Sequence, residues 1–354
     1  MPPPPDGEDR ALLDDRKVRI LRAVVTAYVA SGEPVGSRRV VELAQLDVSP
    51  ATVRNEMAVL EELGFIAQPH TSAGRVPTDR GYRYFVDGLA DEGEVDGQRR
   101  ELVQELLGTS RDVEDLLART SSVLSQLTRL VSLVIAPAID AARCKLVELV
   151  PLTSHAVLLL LVADTGRVEK RLVDLPAPAS ESDVERTRAV LAEHVRGRRM
   201  GDVHAVIAGL VADAPAELRD VLQAVADATD DDIAEEVVRQ VFVGGQASLV
   251  GDQTIERDQL GRVLELLEDR PTIARLVDET GSGEGEGEGP RVRIGEEHEV
   301  EGLQTTSLVA QRYRLVTSGS LGVLGPTRMD YASVLATVRA VAEQLEQTLT
   351  DLTD

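Results

Sequence analysis

From Asp15 to Thr78 helix-start and helix-stop signals alternate so closely that their order restricts the fold more than any other feature of the chain. Val18, Leu21, Val24, Val25 and Tyr28 recur at helical spacing between Asp15 and Ala30, and Ser31-Gly32 ends the pattern. Ser37 opens a second, short helix through Ala44, and Leu46-Asp47-Val48 is a tight connector. Ser49 then offers an N-cap, with Pro50 at the first helical position, where a missing N–H costs nothing. That third helix turns Val53, Met57, Leu60 and Leu63 inward and stops at Gly64. Phe65-Ile66-Ala67 predicts a short strand. Gly74 supplies the turn of a hairpin returning through Arg75-Val76-Pro77, and Thr78 caps a segment ending near Leu89. Helix, helix, tight turn, helix, hairpin, helix is the order of a winged helix-turn-helix. There the helix after the tight turn enters the DNA major groove and the hairpin is the wing.

Charge agrees with that order. The 354-residue chain carries a formal charge of -23, which argues against a general nucleic-acid coat or a membrane-surface protein. Yet from Arg10 to Phe85 eleven Arg and Lys face nine Asp and Glu, while the remainder holds 27 basic and 52 acidic residues. Screening limits surface charges to roughly 8–10 Å at physiological salt, so a basic face can meet an anion beside an acidic body. No carboxylate occurs between Glu62 and Asp79, the span that contains the wing. A carboxylate there would repel phosphate.

On a helical wheel Val53, Met57 and Leu60 cluster, Ala51 and Asn55 lie opposite, and Arg54 stands to one side. Asn and Arg suit adenine and guanine edges respectively. The candidate DNA-binding residues are therefore Ser49, Ala51, Thr52, Arg54 and Asn55 on the reader helix. On the wing they are His70, Thr71, Ser72, Gly74 and Arg75, suited to phosphate or the minor groove. Against this, an Arg-Asn pair on a helix is commonly solvated surface, Thr71-Ser72-Ala73-Gly74 taken alone is a turn, and some helix-turn-helix modules bind proteins.

Beyond the first ninety residues, 90–100 reads as a linker. Leu117, Leu124, Leu127, Val131 and Val134 predict one long helix from Val113 packing against another helix. Strand signals follow at Lys145–Leu152, His155–Ala163 and Arg167–Leu175, the last two joined by the hairpin signature Asp164-Thr165-Gly166. Glu181 to Asp269 reads as mainly helical, interrupted at Gly244-Gly245; 281–290 is a flexible Gly/Glu loop, and 1–14 a disordered leader. Strands return at Arg291–Ile294, Ser307–Val316 and Leu321–Leu324, before a final helix bearing Val334, Val338, Val341, Leu345, Leu349 and Leu352 on one face. The fold class is α+β and multidomain.

Ser49 to Asp87, SPATVRNEMAVLEELGFIAQPHTSAGRVPTDRGYRYFVD, resembles the hallmark segment of the HrcA family of heat-inducible transcription repressors. VFVGGQASLV, 241–250, and GSLGVLGPTRMDYASV, 319–334, are similar to that family as well. The chain departs from it in the GEGEGEG tract, the proline-rich start and the lack of an Asn in QASLV. The resemblance implies a DNA-binding domain at 15–90, a GAF-like domain at 100–185 and 255–354, and an inserted, mainly helical dimerising domain at 186–250. It also implies a homodimer that represses chaperonin and chaperone operons through an inverted-repeat operator of the CIRCE type, with the chaperonin as modulator. The alternative is a regulator of metabolic genes whose GAF-like domain binds a small molecule; a scaffold binding no DNA is a third reading.

No cofactor, metal or catalytic site is assigned. Cys144 is the single cysteine, and the histidines at 70, 155, 194, 204 and 298 lack metal-ligand spacing. Neither H-E-x-x-H nor G-x-S-x-G is present. The longest apolar run, Ala156–Ala163, is far short of the roughly 20 residues that span a bilayer, so no membrane partner is expected and the cytoplasm is the expected location. Thr327, in Gly325–Asp330, precedes the final helix; an anion nest at a helix start is one reading there, and a strand-to-helix turn whose Arg328 pairs with a nearby carboxylate is the preferred one.

Overall fold

The computed structural model describes residues 13–70, 73–89, 97–110, 112–137, 139, 142–230, 240–251, 257–282, 289–314 and 318–353. Helix α1, Asp15–Ser31, starts where the Asp14 side chain accepts the Lys17 N–H at 2.9 Å, and ends at Gly32 in the left-handed region, φ 72°. Leu13 is buried and Asp14 is this cap, so the expected leader ends two residues early; 1–12 lie outside the described residues. Helix α2, Ser37–Ala44, closes on Gln45 at φ 47°, a left-handed turn that sends the chain directly into the next helix. Helix α3, Pro50–Glu62, strands β1, Ile66–Ala67, and β2, Val76–Pro77, and helix α4, Asp79–Asp87, complete the winged helix. Its core joins Ile20, Leu21, Val24, Val53, Leu60 and Phe65.

Helix α5, Gly97–Leu107, occupies part of the expected linker and buries Val103 and Leu107; 90–96 lie outside the described residues. Helix α6, Val113–Thr128, stops short of the long helix expected from its repeat. Arg129 takes φ 59° and the next residues form strand β3, Val131–Ile135. The reason is burial on both faces. Strand β3 is fully buried, and such a strand shows no alternation, so its valines continue the spacing of the helix before it.

Strands β4, Cys144–Thr153, β5, Ala156–Ala163, and β6, Val168–Asp174, form a separate antiparallel three-stranded sheet. One face of it packs on helices α7, Glu181–Val195, α8, Val203–Asp213, and α9, Ala216–Asp230. Val147, Leu149, Leu159, Leu161, Leu191, Ile207, Leu222 and Val225 share this core. The strands fall outside the 186–250 bounds expected for the helical domain, yet they share a core with its helices. The three strands belong with the helices that follow them, because their inward residues have no other core to join.

Strand β7, Val241–Gly244, returns to pair with β3, where the sequence suggested only a break in a helical block. After it come helices α10, Gln246–Gly251, α11, Arg257–Glu268, and α12, Arg270–Ser282. The last of these takes in Gly281 and Ser282 from the expected loop, of which 283–288 lie outside the described residues. Strands β8, Arg291–Ile294, β9, Thr306–Arg314, and β10, Ser318–Pro326, lead to helix α13, Tyr331–Thr353. The larger sheet has the order β7-β3-β10-β9-β8, antiparallel throughout. Val134, Val309 and Val323 face α6 and α13, whereas Leu133, Leu308 and Ala310 face α11 and α12. The final helix is capped by Asp330, which accepts the Ser333 N–H at 3.2 Å.

Candidate nucleic-acid interface

Helix α3 sets the geometry of the candidate interface. Ser49 Oγ accepts the Thr52 N–H at 3.2 Å and lies 3.0 Å from Thr52 Oγ1, so both hydroxyls serve the cap, and Ser49 stays exposed. Val53, Met57 and Leu60 are buried, which fixes the rotation of the helix and leaves Ala51, Arg54, Asn55 and Ala58 as one exposed stripe. Neither Arg54 nor Asn55 has a hydrogen-bond or ion-pair partner among the described residues. Glu56, on the flank, is paired with Lys17 at 3.2 Å and Arg16 at 3.5 Å, which offsets the acid nearest the stripe. Arg19 Nη2 donates to the carbonyls of Ala44 at 2.5 Å and Gln45 at 3.1 Å, locking the turn before the reader helix.

The wing differs from its sequence reading. Gln68 Nε2 donates to Ala73 O at 3.1 Å across the base of the loop, and His70 is exposed. Thr71 and Ser72 lie outside the described residues. Arg75, expected to meet phosphate or the minor groove, is engaged within the domain. Its guanidinium pairs with Glu61 of the reader helix at 2.7 Å, and its backbone exchanges hydrogen bonds with Val35 at 2.8 and 2.9 Å. Gly74 is not a turn glycine with positive φ either. A Cβ there would stand 2.4 Å from Val35 O, so glycine is needed where the wing passes the α1–α2 connector. Local pattern could not show this, because both partners come from distant positions.

Two features escaped the sequence reading. Arg38, exposed at the start of α2, has no partner among the described residues and faces solvent from the helix that crosses the DNA backbone in this motif. Its signal was the Arg38-Arg39 pair at a helix start. Arg80 stacks over Phe65 with its guanidinium carbon 4.7 Å from the ring centroid, and donates to Leu63 O at 2.7 Å, holding the root of the wing. Arg328, which the sequence placed in the strand-to-helix turn, rests against Gly32, where a Cβ would lie 2.6 Å from its Nη1, placing its charge at the negative end of α1.

The family description "Winged helix-turn-helix transcription repressor, HrcA DNA-binding" matches residues 13–87, and "HrcA protein C terminal domain" matches 114–335. The chain belongs to the HrcA family. A heat-inducible transcription repressor HrcA of Thermobifida fusca is 41% identical over 346 residues, covering 97% of this chain and 98% of that protein. One from Streptomyces avermitilis is 41% identical, covering 96% and 100%. Among solved structures, a hypothetical protein determined at 2.2 Å shares the fold with a TM-score of 0.66 at 24% identity, covering 96% of this chain and 99% of that one. The family carries a winged-helix DNA-binding domain at the position where this chain exposes Arg54 and Asn55. No described helix of this HrcA-family chain is long and apolar enough to cross a membrane.

Proposed function

We propose that the protein is a heat-inducible repressor that binds, as a homodimer, a CIRCE-type inverted repeat ahead of chaperonin and chaperone genes and leaves it on heating. The observation that carries the reading is the unpaired Arg54-Asn55 stripe on a capped reader helix, within the segment matched by the family's DNA-binding description. A bound dimer blocks transcription sterically. An inverted repeat requires two reader helices about 34–36 Å apart, or a multiple of that, related by a two-fold axis.

Support for the dimer comes from the open face of the three-stranded sheet. The register aligns Leu146, Val162 and Val168 in one row and Val150, Leu158 and Leu172 in another. Leu172 is 63% exposed and Leu146 44%. Between the rows lie Glu148, Leu160 and Lys170; two exposed apolar rows of this kind mark an association surface, and a second copy offers the same face in self-complementary form. The heat response rests on marginal stability, since only about 5–15 kcal/mol separates folded from unfolded chains. The chaperonin, as modulator, would return the heat-inactivated form to the DNA-binding state, as the family resemblance implies.

Gel-shift titration on a duplex carrying the inverted repeat tests this reading. Arg54→Ala and Asn55→Ala are each expected to weaken binding by about 1–3 kcal/mol relative to wild type, with a scrambled duplex bound weakly by all three. Wild-type affinity in both variants defeats the assignment of the reader helix.

A further inference from the structure

One face of α4 is given over to the body of the molecule. Arg83 donates from Nε to Glu297 Oε1 at 2.8 Å and from Nη2 to Val292 O at 2.7 Å, with a second Nη2 bond to Glu297 Oε2. Asp79, four residues earlier, accepts the backbone N–H of Glu296 at 3.0 Å. Tyr82, between them on the same face, packs its ring 5.6 Å from that of Tyr331 at the start of α13. Gly295 makes the approach possible: it holds φ 52°, and a Cβ there would fall 1.9 Å from Asp79 Oδ2. Glu297 is itself held, accepting the Ile294 N–H at 2.9 Å.

These groups meet across 214 residues of sequence, and among the described residues their side-chain hydrogen bonds reach neither the reader stripe nor the wing. A bidentate guanidinium–carboxylate pair fixes angle as well as distance, which a lysine or an apolar contact does not. In a dimer joined through the body, the separation of the two reader helices is set by two copies of this joint. The geometry points to Arg83 and Glu297 as positioning residues that set which half-site spacing the dimer accepts. This assignment rests on the dimeric, inverted-repeat reading given above.

The test uses the full chain with Glu297→Gln, Arg83→Lys and the charge swap Arg83→Glu/Glu297→Arg. Each is titrated against a single half-site duplex, the intact CIRCE-type repeat, and repeats with the spacer lengthened or shortened by a few base pairs. Half-site affinity is expected to stay within about twofold of wild type in Glu297→Gln and Arg83→Lys. Affinity for the native spacing is expected to fall about tenfold as the linkage gain between half-sites is lost, and the preference among spacers to flatten. Partial recovery of the native preference in the charge swap supports the assignment further. An unchanged spacer profile in Glu297→Gln and Arg83→Lys overturns it. So does a half-site affinity that falls in step with melting temperature, which marks a purely structural role. If the wild-type chain binds the repeat no better than one half-site, the dimer reading fails and takes this proposal with it.

Discussion

Replacing Gly74 by Ala probes the wing more sharply than any change at its tip. The added Cβ would lie 2.4 Å from Val35 O, 2.5 Å from Val35 C and 2.8 Å from Pro34 C, all of them backbone atoms with no rotamer to adopt. Ordinary contact to carbon is about 3.5–4.0 Å, so the wing has to swing away by roughly 1 Å. Such a swing stretches both hydrogen bonds between Val35 and Arg75, now 2.8 and 2.9 Å, beyond useful length. Overpacking costs about 1–3 kcal/mol and each lost bond about 0.5–1.5 kcal/mol, and partial relaxation brings the expected total to about 2–4 kcal/mol. Denaturant melts give the loss, and amide exchange at Val35 and Arg75 locates it, both amides losing protection relative to α1. The Arg75–Glu61 pair opens with the swing, so operator affinity falls as well. If Gly74→Ala keeps wild-type protection at both amides, the close approach is not what requires glycine there.

Three further outcomes follow from the same coordinates. Gly261 lies exposed in α11 with nothing within 4 Å of an added Cβ, so Gly261→Ala is expected to stabilise by about 0.5–1 kcal/mol in denaturant melts; a destabilised variant contradicts that environment. Burial, reinforced by repulsion from Arg293, pushes the His298 imidazole down to about 4 from 6.5. The unfolded chain therefore binds the extra proton between these values. The contribution of neutral His298 is complete above pH 6.5 and is lost as pH falls toward 4, about 2 kcal/mol of it by pH 5. The stability difference between wild type and His298→Phe, measured at pH 7 and pH 5, should shift by that amount against the wild type. Leu172→Glu changes a side chain that is 63% exposed, so the monomer's fold is expected to keep its stability within about 0.5 kcal/mol while sedimentation reports loss of the dimer.

The winged helix was legible because its signals are local. Ser49-Pro50 before an apolar stripe, Gly64 after it and Thr78 before α4 each act within one helical turn, and the structure uses all three as caps or stops. Arg54 and Asn55 were legible for the same reason, since burying Val53, Met57 and Leu60 dictates what faces outward. Strand β3 was hidden inside a helical repeat because a strand covered on both faces has no period of its own to display. Arg75 was read as a phosphate or minor-groove contact from its place in an acid-free hairpin, and only tertiary structure brought it against Glu61 and Val35.

The sequence by itself determined the order of helices in the first ninety residues, the rotation of the reader helix and the sign of charge around the wing. These depend on propensity, capping and periodicity among neighbours along the chain. Tertiary structure alone decided that β4–β6 leave the main sheet to pack with α7–α9, that Gly74 is a contact glycine, and that Arg83 reaches Glu297. Each of those turns on which distant surfaces exclude water from one another, and pairing between remote segments leaves no periodic trace in either one.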